Sequence, residues 1–103
     1  MNGGHVQVWY NCEVASLSYD AEVVYFSCEV KIDNNNILVS YIQEGKPTAI
    51  IYKGTEHESG HYELSSKEVK GRATLHRFKG SKFLEGWWQE DGAQGMWRIA
   101  LVK

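Results

Sequence analysis

The sequence predicts an all-β fold, an eight-stranded antiparallel up-and-down β-barrel, with a two-sheet β-sandwich as the alternative. Three observations predict it. Apolar and polar residues alternate along most of the chain, no stretch carries a sustained helical stripe, and glycines recur just ahead of aromatic or aliphatic residues. A chain of 103 residues has the length of one domain, so residues 1–103 are predicted to form a single barrel.

The first half of the chain alternates with a period of two. The turn cluster 33–36 and the break Gly45-Lys46-Pro47 divide it into strands. If the first two strands form a hairpin, Cys12 lies nearly opposite Cys28, which permits a disulfide without requiring one. The residues expected to face the interior are Val6, Val8, Tyr10, Cys12 and Val14, then Phe26, Cys28, Val30 and Ile32.

In the second half, a glycine repeatedly precedes a residue of the same face by two positions, as in Gly86-x-Trp88 and Gly95-x-Trp97. Such glycines suit the curvature of a closing barrel. Short connections and evenly spread glycines favour the barrel over the sandwich. The predicted strands are 5–15, 22–33, 37–44, 48–55, 60–65, 71–78, 83–89 and 95–102.

Charge and hydropathy exclude some function classes. The formal net charge is −2, from 13 acidic and 11 basic residues, which argues against binding to polymeric nucleic acid or to an anionic membrane. A small anionic ligand held by one or two arginines is still allowed. The chain lacks a signal peptide and an apolar run of bilayer length, which predicts a cytoplasmic domain without membrane contact of its own. It could also be the soluble part of a membrane-anchored parent.

The segment His57-Glu58-Ser59-Gly60-His61 spells H-E-x-x-H, the motif of zinc metalloproteases. The motif binds zinc on a helix, but here a glycine interrupts it and its flanks alternate like strands. In an extended strand the two histidines would lie about 13 Å apart, and only a tight turn through Ser59-Gly60 would bring them together. We therefore predict an exposed hairpin tip, and no metal, cofactor or catalytic residue.

Aromatic residues and one arginine point to a ligand site. Arg77 shares the inward parity of Ala73 and Leu75, while the acidic pair Glu90-Asp91 is expected in a solvated turn. The rings could simply fill the barrel, or they could stack on a flat ligand whose phosphate or carboxylate pairs with Arg77. The rings with inward parity are Tyr10, Tyr41, Tyr62, Trp88 and Trp97.

Two tryptophans are expected on the outside. Trp9 has the parity opposite to the predicted inward row, and one of the adjacent residues Trp87 and Trp88 must face outward. Exposed tryptophans are typical of contact surfaces. The alternative function is therefore a protein-interaction or self-association barrel with a filled core, and a homo-oligomer is possible.

Eight short strands and the ending FLEGWWQEDGAQGMWRIALVK resemble a small calycin-type barrel, a group that includes lipocalins and avidins. Within that group, GRATLHRF, LEGWW and GMWRIAL, over roughly residues 60–102, look most like the β-barrel sensor domain of bacterial CBASS antiphage effectors. The resemblance implies a non-enzymatic barrel that binds a cyclic dinucleotide. The ligand-binding residues expected on chemistry and face are Tyr10, Arg77 and Trp88.

Overall fold

The computed structural model, which describes residues 6–19 and 22–102, is a closed barrel of eight antiparallel strands. Each strand pairs with the next, and the last pairs with the first, so the predicted barrel is confirmed. Within the described ranges, no helix has the length and apolar character needed to cross a bilayer. The strands are β1 (Val6–Ser18), β2 (Val24–Asp33), β3 (Asn36–Tyr41), β4 (Ile50–Glu58), β5 (His61–Ser66), β6 (Gly71–His76), β7 (Phe83–Glu90) and β8 (Ala93–Ala100).

Each predicted segment corresponds to one strand, and the boundaries differ most in β1, β4 and β3, which ends at Tyr41 rather than at residue 44. β1 continues to Ser18 rather than ending at residue 15, because its last residues pair with β8, Ser16 opposite Trp97 and Ser18 opposite Gly95. β4 reaches Glu58 because it forms a hairpin with β5. The predicted first residue of β1, residue 5, lies outside the described residues.

The inward residues of the strands form one continuous hydrophobic core. Burial of each large apolar side chain contributes about 1.5–3 kcal/mol, and closure of the barrel lets all eight strands contribute to the same interior. The fully buried side chains are Cys12, Val14, Val30, Ile37, Val39, Tyr52, Leu75, Leu84 and Ile99.

A β-bulge in β1 reverses the predicted facing of its first half. Trp9 pairs with Val30 and Cys12 pairs with Cys28, so β1 has one more residue than β2 across this interval. The residues of β1 that face inward therefore change from odd to even numbers between Trp9 and Cys12. Trp9 is only 4% exposed and lies in the core, whereas Tyr10 is 63% exposed on the outside.

The bulge makes three sequence predictions wrong. Tyr10 does not face the interior, and Trp9 is not a surface residue. Val6 and Val8, on the N-terminal side of the bulge, are not part of the buried inward row. The inward row predicted for β2 is confirmed, since Cys28, Val30 and Ile32 are all buried.

Cys12 and Cys28 face each other across the β1–β2 ladder, as the hairpin register predicted, and both thiols are free. Both side chains are buried, and burial raises the pKa of each thiol above its ordinary value. Since the thiolate is the nucleophile, neither sulfur should react readily in the folded barrel.

We expect Ellman's reagent to label neither cysteine of the native protein within minutes at pH 8, and both at once in urea. Labelling in the native state should be limited by unfolding, so its rate should not depend on the reagent concentration once the reagent is in excess. Rapid labelling of Cys28 in the native barrel would contradict the buried, protonated state inferred for this thiol.

Candidate functional site

One end of the barrel opens into a cavity of about 490 Å³, which we call the aromatic mouth. It lies where β1, β3 and β7 end and where β2 and β8 begin. Five of its lining residues are aromatic, and inward positions of β2, β3, β7 and β8 supply four of them. The residues that line it are Ser16, Ser18, Glu22, Val24, Tyr25, Phe26, Tyr41, Ile42, Gln43, Glu44, Trp88, Glu90 and Trp97.

Trp97 lies at the centre of the ring cluster. Its ring is stacked on Trp88 with centroids 6.2 Å apart, and it meets Tyr52 edge-on at 5.0 Å and Tyr41 edge-on at 6.3 Å. Phe26 extends the cluster, 4.9 Å from Tyr41. Offset and edge-on contacts of this kind are favourable beyond the burial of area, so the wall is a connected aromatic surface.

Glycines opposite these rings provide the room that the rings occupy. Gly95 pairs with Trp88 across the β7–β8 ladder, and a Cβ on Gly95 would lie 2.9 Å from Cζ2 of Trp88. A Cβ on Gly71 would come within 2.0 Å of the Tyr52 hydroxyl oxygen. The glycine–aromatic repeat of the sequence is thus the pattern that builds the mouth.

Two side-chain hydrogen bonds involve residues that line the mouth. The Tyr52 hydroxyl donates to the Glu90 carboxylate, and the Trp97 indole N–H donates to Ser16 Oγ at 3.2 Å. Trp88 is different. Although this side chain is only 8% exposed, its Nε1 is the one buried side-chain nitrogen or oxygen of the described residues that has no hydrogen-bond partner. Buried donors are rarely left unpaired.

The mouth is acidic. Among the described residues that line it, every charged side chain is a glutamate: Glu22, Glu44 and Glu90. Burial, and then the adjacent negative charge of Glu90, raise the pKa of both Tyr41 and Tyr52 above the ordinary tyrosine value. Both hydroxyls therefore remain protonated donors at neutral pH.

Arg77 lies at the opposite end of the barrel, just after β6. Its guanidinium carbon lies 5.6 Å from the centroid of the Trp9 ring, and its Nε donates to the Ser81 carbonyl at 2.7 Å. Lys79 and one carboxylate, Glu56, line the same hollow, which has a volume of about 340 Å³, so its two cations outnumber its acid by one. This cationic end is smaller than the aromatic mouth.

The three residues expected to bind a ligand are therefore not brought together. Trp88 lies in the wall of the aromatic mouth, Arg77 at the other end, and Tyr10 on the outer surface. Residues missed by sequence reasoning take part in the mouth instead. Glu90 was expected in a turn, but it is the last residue of β7 and has the inward parity of Trp88. The spacing of two positions between Trp88 and Glu90 was the signal in the sequence that could have placed Glu90 on the inner face.

The H-E-x-x-H segment forms the β4–β5 hairpin, with its turn at Ser59-Gly60. This tight turn brings the two imidazoles closer than the 13 Å expected for an extended strand, since the Nε2 atoms of His57 and His61 lie 3.9 and 3.7 Å from the same Glu63 oxygen. His61 also contacts His76, with Nδ1 and Nε2 2.7 Å apart. In the part of the chain that the structure describes, no three or more His, Cys, Asp or Glu side chains are grouped to hold a metal.

The outer wall carries an apolar groove of about 640 Å³. Trp87 and Met96 lie directly opposite each other on β7 and β8, and Phe83 lines the groove beside them. Of the two tryptophans expected on the surface, only Trp87 contributes to it.

No protein-family model, no curated protein and no solved structure gives a significant match to this chain. The resemblance to calycin barrels and to CBASS sensor domains therefore stays a prediction. What the structure supports is the barrel, its aromatic mouth and the charge of each end.

Proposed function

We propose that this chain is a non-enzymatic binding domain and that its aromatic mouth holds a small, flat ligand. The observation that carries the proposal is an open cavity of about 490 Å³ whose wall is a connected cluster of aromatic rings. Ligand sites are concave and mostly apolar, with a few placed polar groups. Here the Glu90 carboxylate, which accepts the Tyr52 hydroxyl proton, is such a group.

Stacking accounts for the shape of the ligand. Trp88, Trp97 and Tyr41 present a connected aromatic wall whose rings are fixed by one another. A planar group can replace water on such a wall without ordering many side chains, which limits the entropic cost of binding.

A cyclic dinucleotide, sensed in antiphage defence, is the specific ligand that the resemblance implies, and it belongs to this proposal as a second candidate. Arg77 and Lys79 favour it, because phosphates pair with guanidinium and ammonium groups. Such a ligand would occupy the cationic end rather than the acidic mouth. The two candidates thus differ in which end of the barrel they use.

The test is a ligand panel read by thermal unfolding and tryptophan fluorescence, with cyclic dinucleotides, mononucleotides, fatty acids and aromatic amines. A ligand at 100 times its Kd should stabilise the fold by about 2.7 kcal/mol, which raises Tm by several degrees. We expect Trp88→Leu, which keeps an apolar side chain but removes the ring, to weaken binding at the mouth at least tenfold.

Two further variants locate the ligand. Phe78→Ala removes a ring that is 86% exposed at the far end and should leave binding at the mouth unchanged. Arg77→Ala should abolish the shift caused by a ligand at the cationic end and spare the mouth. A ligand lost in Arg77→Ala but kept in Trp88→Leu would overturn the assignment to the mouth. A panel without any shift would refute ligand binding and favour the interaction barrel.

A further inference from the structure

The charge of the aromatic mouth restricts which ligand it can take. Its charged lining residues are Glu22, Glu44 and Glu90, and the described lining contains no lysine or arginine. A phosphate or carboxylate brought into this wall would lose water and meet like charge, which raises its free energy. A cation would meet opposite charge, so the mouth is complementary to positive rather than negative ligands.

The aromatic rings of the mouth also favour a positively charged ligand. The faces of Trp and Tyr rings carry negative potential, and they attract ammonium groups, most strongly where water is excluded. Trp88, Trp97 and Tyr41 line the cavity together with Phe26 and Tyr25. A cluster of aromatic rings is the usual environment in which proteins recognise alkylated ammonium groups.

Glu90 is held in place for this role. Its carboxylate accepts the hydroxyl proton of Tyr52, a ring that is fully buried and packed edge-on against Trp97. The charge therefore sits at a fixed position in the wall and does not have to be ordered when a ligand arrives. Preorganisation of this kind increases affinity because less side-chain entropy is lost on binding.

From these contacts, and resting on the proposed function, we infer that the ligand is a small organic cation. Its tertiary or quaternary ammonium group would lie between Glu90 and the rings of Trp97 and Tyr41. The ligand class is thus a free amine or ammonium compound small enough to enter the mouth.

Acetylcholine and its neutral isostere 3,3-dimethylbutyl acetate form a matched probe pair, because they differ only in the positive nitrogen. We expect isothermal titration to show acetylcholine binding at least tenfold more tightly than the isostere. Glu90→Gln keeps the shape of the side chain and an acceptor for Tyr52, and it should remove that preference. Glu85→Gln deletes an exposed carboxylate of the same strand, which pairs with Arg98, and should change nothing.

The possible results separate failure of the cationic inference from failure of the proposed binding function. Equal affinity for both probes would overturn the cationic class while leaving the proposed binding function intact. A preference that survives Glu90→Gln would overturn the placement of the ammonium group. Binding of a cyclic dinucleotide alone would overturn the inference but not ligand binding, and a barrel that binds no probe at all would refute both. Binding to phosphatidylcholine vesicles but not to free acetylcholine would replace the free ligand with a lipid headgroup and overturn the inference.

Discussion

Replacing Gly86 with alanine is expected to destabilise the barrel by about 3 kcal/mol or more, a large effect for the addition of a single methyl group. Gly86 pairs with Leu75 across the β6–β7 ladder, and a Cβ on it would lie 1.6 Å from the Thr74 carbonyl oxygen. The new Cβ would clash with backbone atoms of β6, so no side-chain rotation relieves the clash. Relief requires the two strands to separate, which breaks the closed ladder.

The measurement is the Tm and the urea midpoint of Gly86→Ala beside those of Gly80→Ala. Gly80 has φ +80°, but a Cβ added to it would have no atom within 4 Å. Its substitution by alanine therefore costs only the strain of a positive φ at a residue with a side chain, about 1 kcal/mol. We expect Tm to fall by more than about 10 °C for Gly86→Ala and by only a few degrees for the control. Equal losses in the two variants would show that close packing of β6 on β7 is not what fixes the wall.

Alkaline pH is expected to unfold the barrel progressively. Burial raises the pKa of Cys28, Tyr41 and Tyr52, and for both tyrosines the charge of Glu90 adds to the effect. In the unfolded chain these groups ionise near their ordinary values, about 8.5 for Cys and 10 for Tyr. Above those values the unfolded state releases protons that the native state retains. Stability is therefore fully present at neutral pH and is lost as the pH rises.

The loss should approach about 1.4 kcal/mol per pH unit for each such group, which makes it several kcal/mol by about pH 11. Urea unfolding between pH 7 and 11 measures it. Tyr52→Phe removes one of the groups, so its free energy of unfolding should fall less steeply with pH than that of the parent chain. Tyr25→Phe, which alters a well exposed ring, is the matched control. A free energy of unfolding that stays level up to pH 11 would contradict the buried, protonated hydroxyls.

The fold could be predicted because its strongest determinants are local. Alternation identifies a half-buried strand whatever its partner is, and the turn residues limit where each strand ends. Closure was predictable because the connections are short and because Gly86 and Gly95 each precede a ring by two positions. The close approach of Gly86 to β6 and of Gly95 to Trp88 gives these glycines a physical reason.

The bulge in β1 could not be predicted, because it is decided by packing between strands rather than by the β1 sequence. Both parities of that strand carry apolar residues, Val8 and Tyr10 on one face and Trp9 on the other. Burying Trp9 removes more apolar surface from water than burying either valine, so the register that places it inside is favoured. The same bulge places Tyr10 outside the expected site.

The site was only partly predictable for a related reason. The inward parity of Trp88 followed from its strand, but the two ends of a barrel are not distinguished by alternation. Arg77 and Trp88 share a facing and yet lie at opposite ends. Glu90 was expected in a turn because it neighbours Asp91 and Gly92, although β7 continues through it. Assigning side chains to one end requires the strand order and register.

The pairing of β1 with β8 has a consequence for synthesis of the protein. Glu13 to Ser18 bond to a segment that begins about eighty residues later, so this ladder forms only after β8 has left the ribosome. Until then, the outer sides of β1 and of the latest strand made are open edges on a nascent chain. The period in which neighbouring nascent chains can misassemble through these edges therefore lasts until β8 emerges.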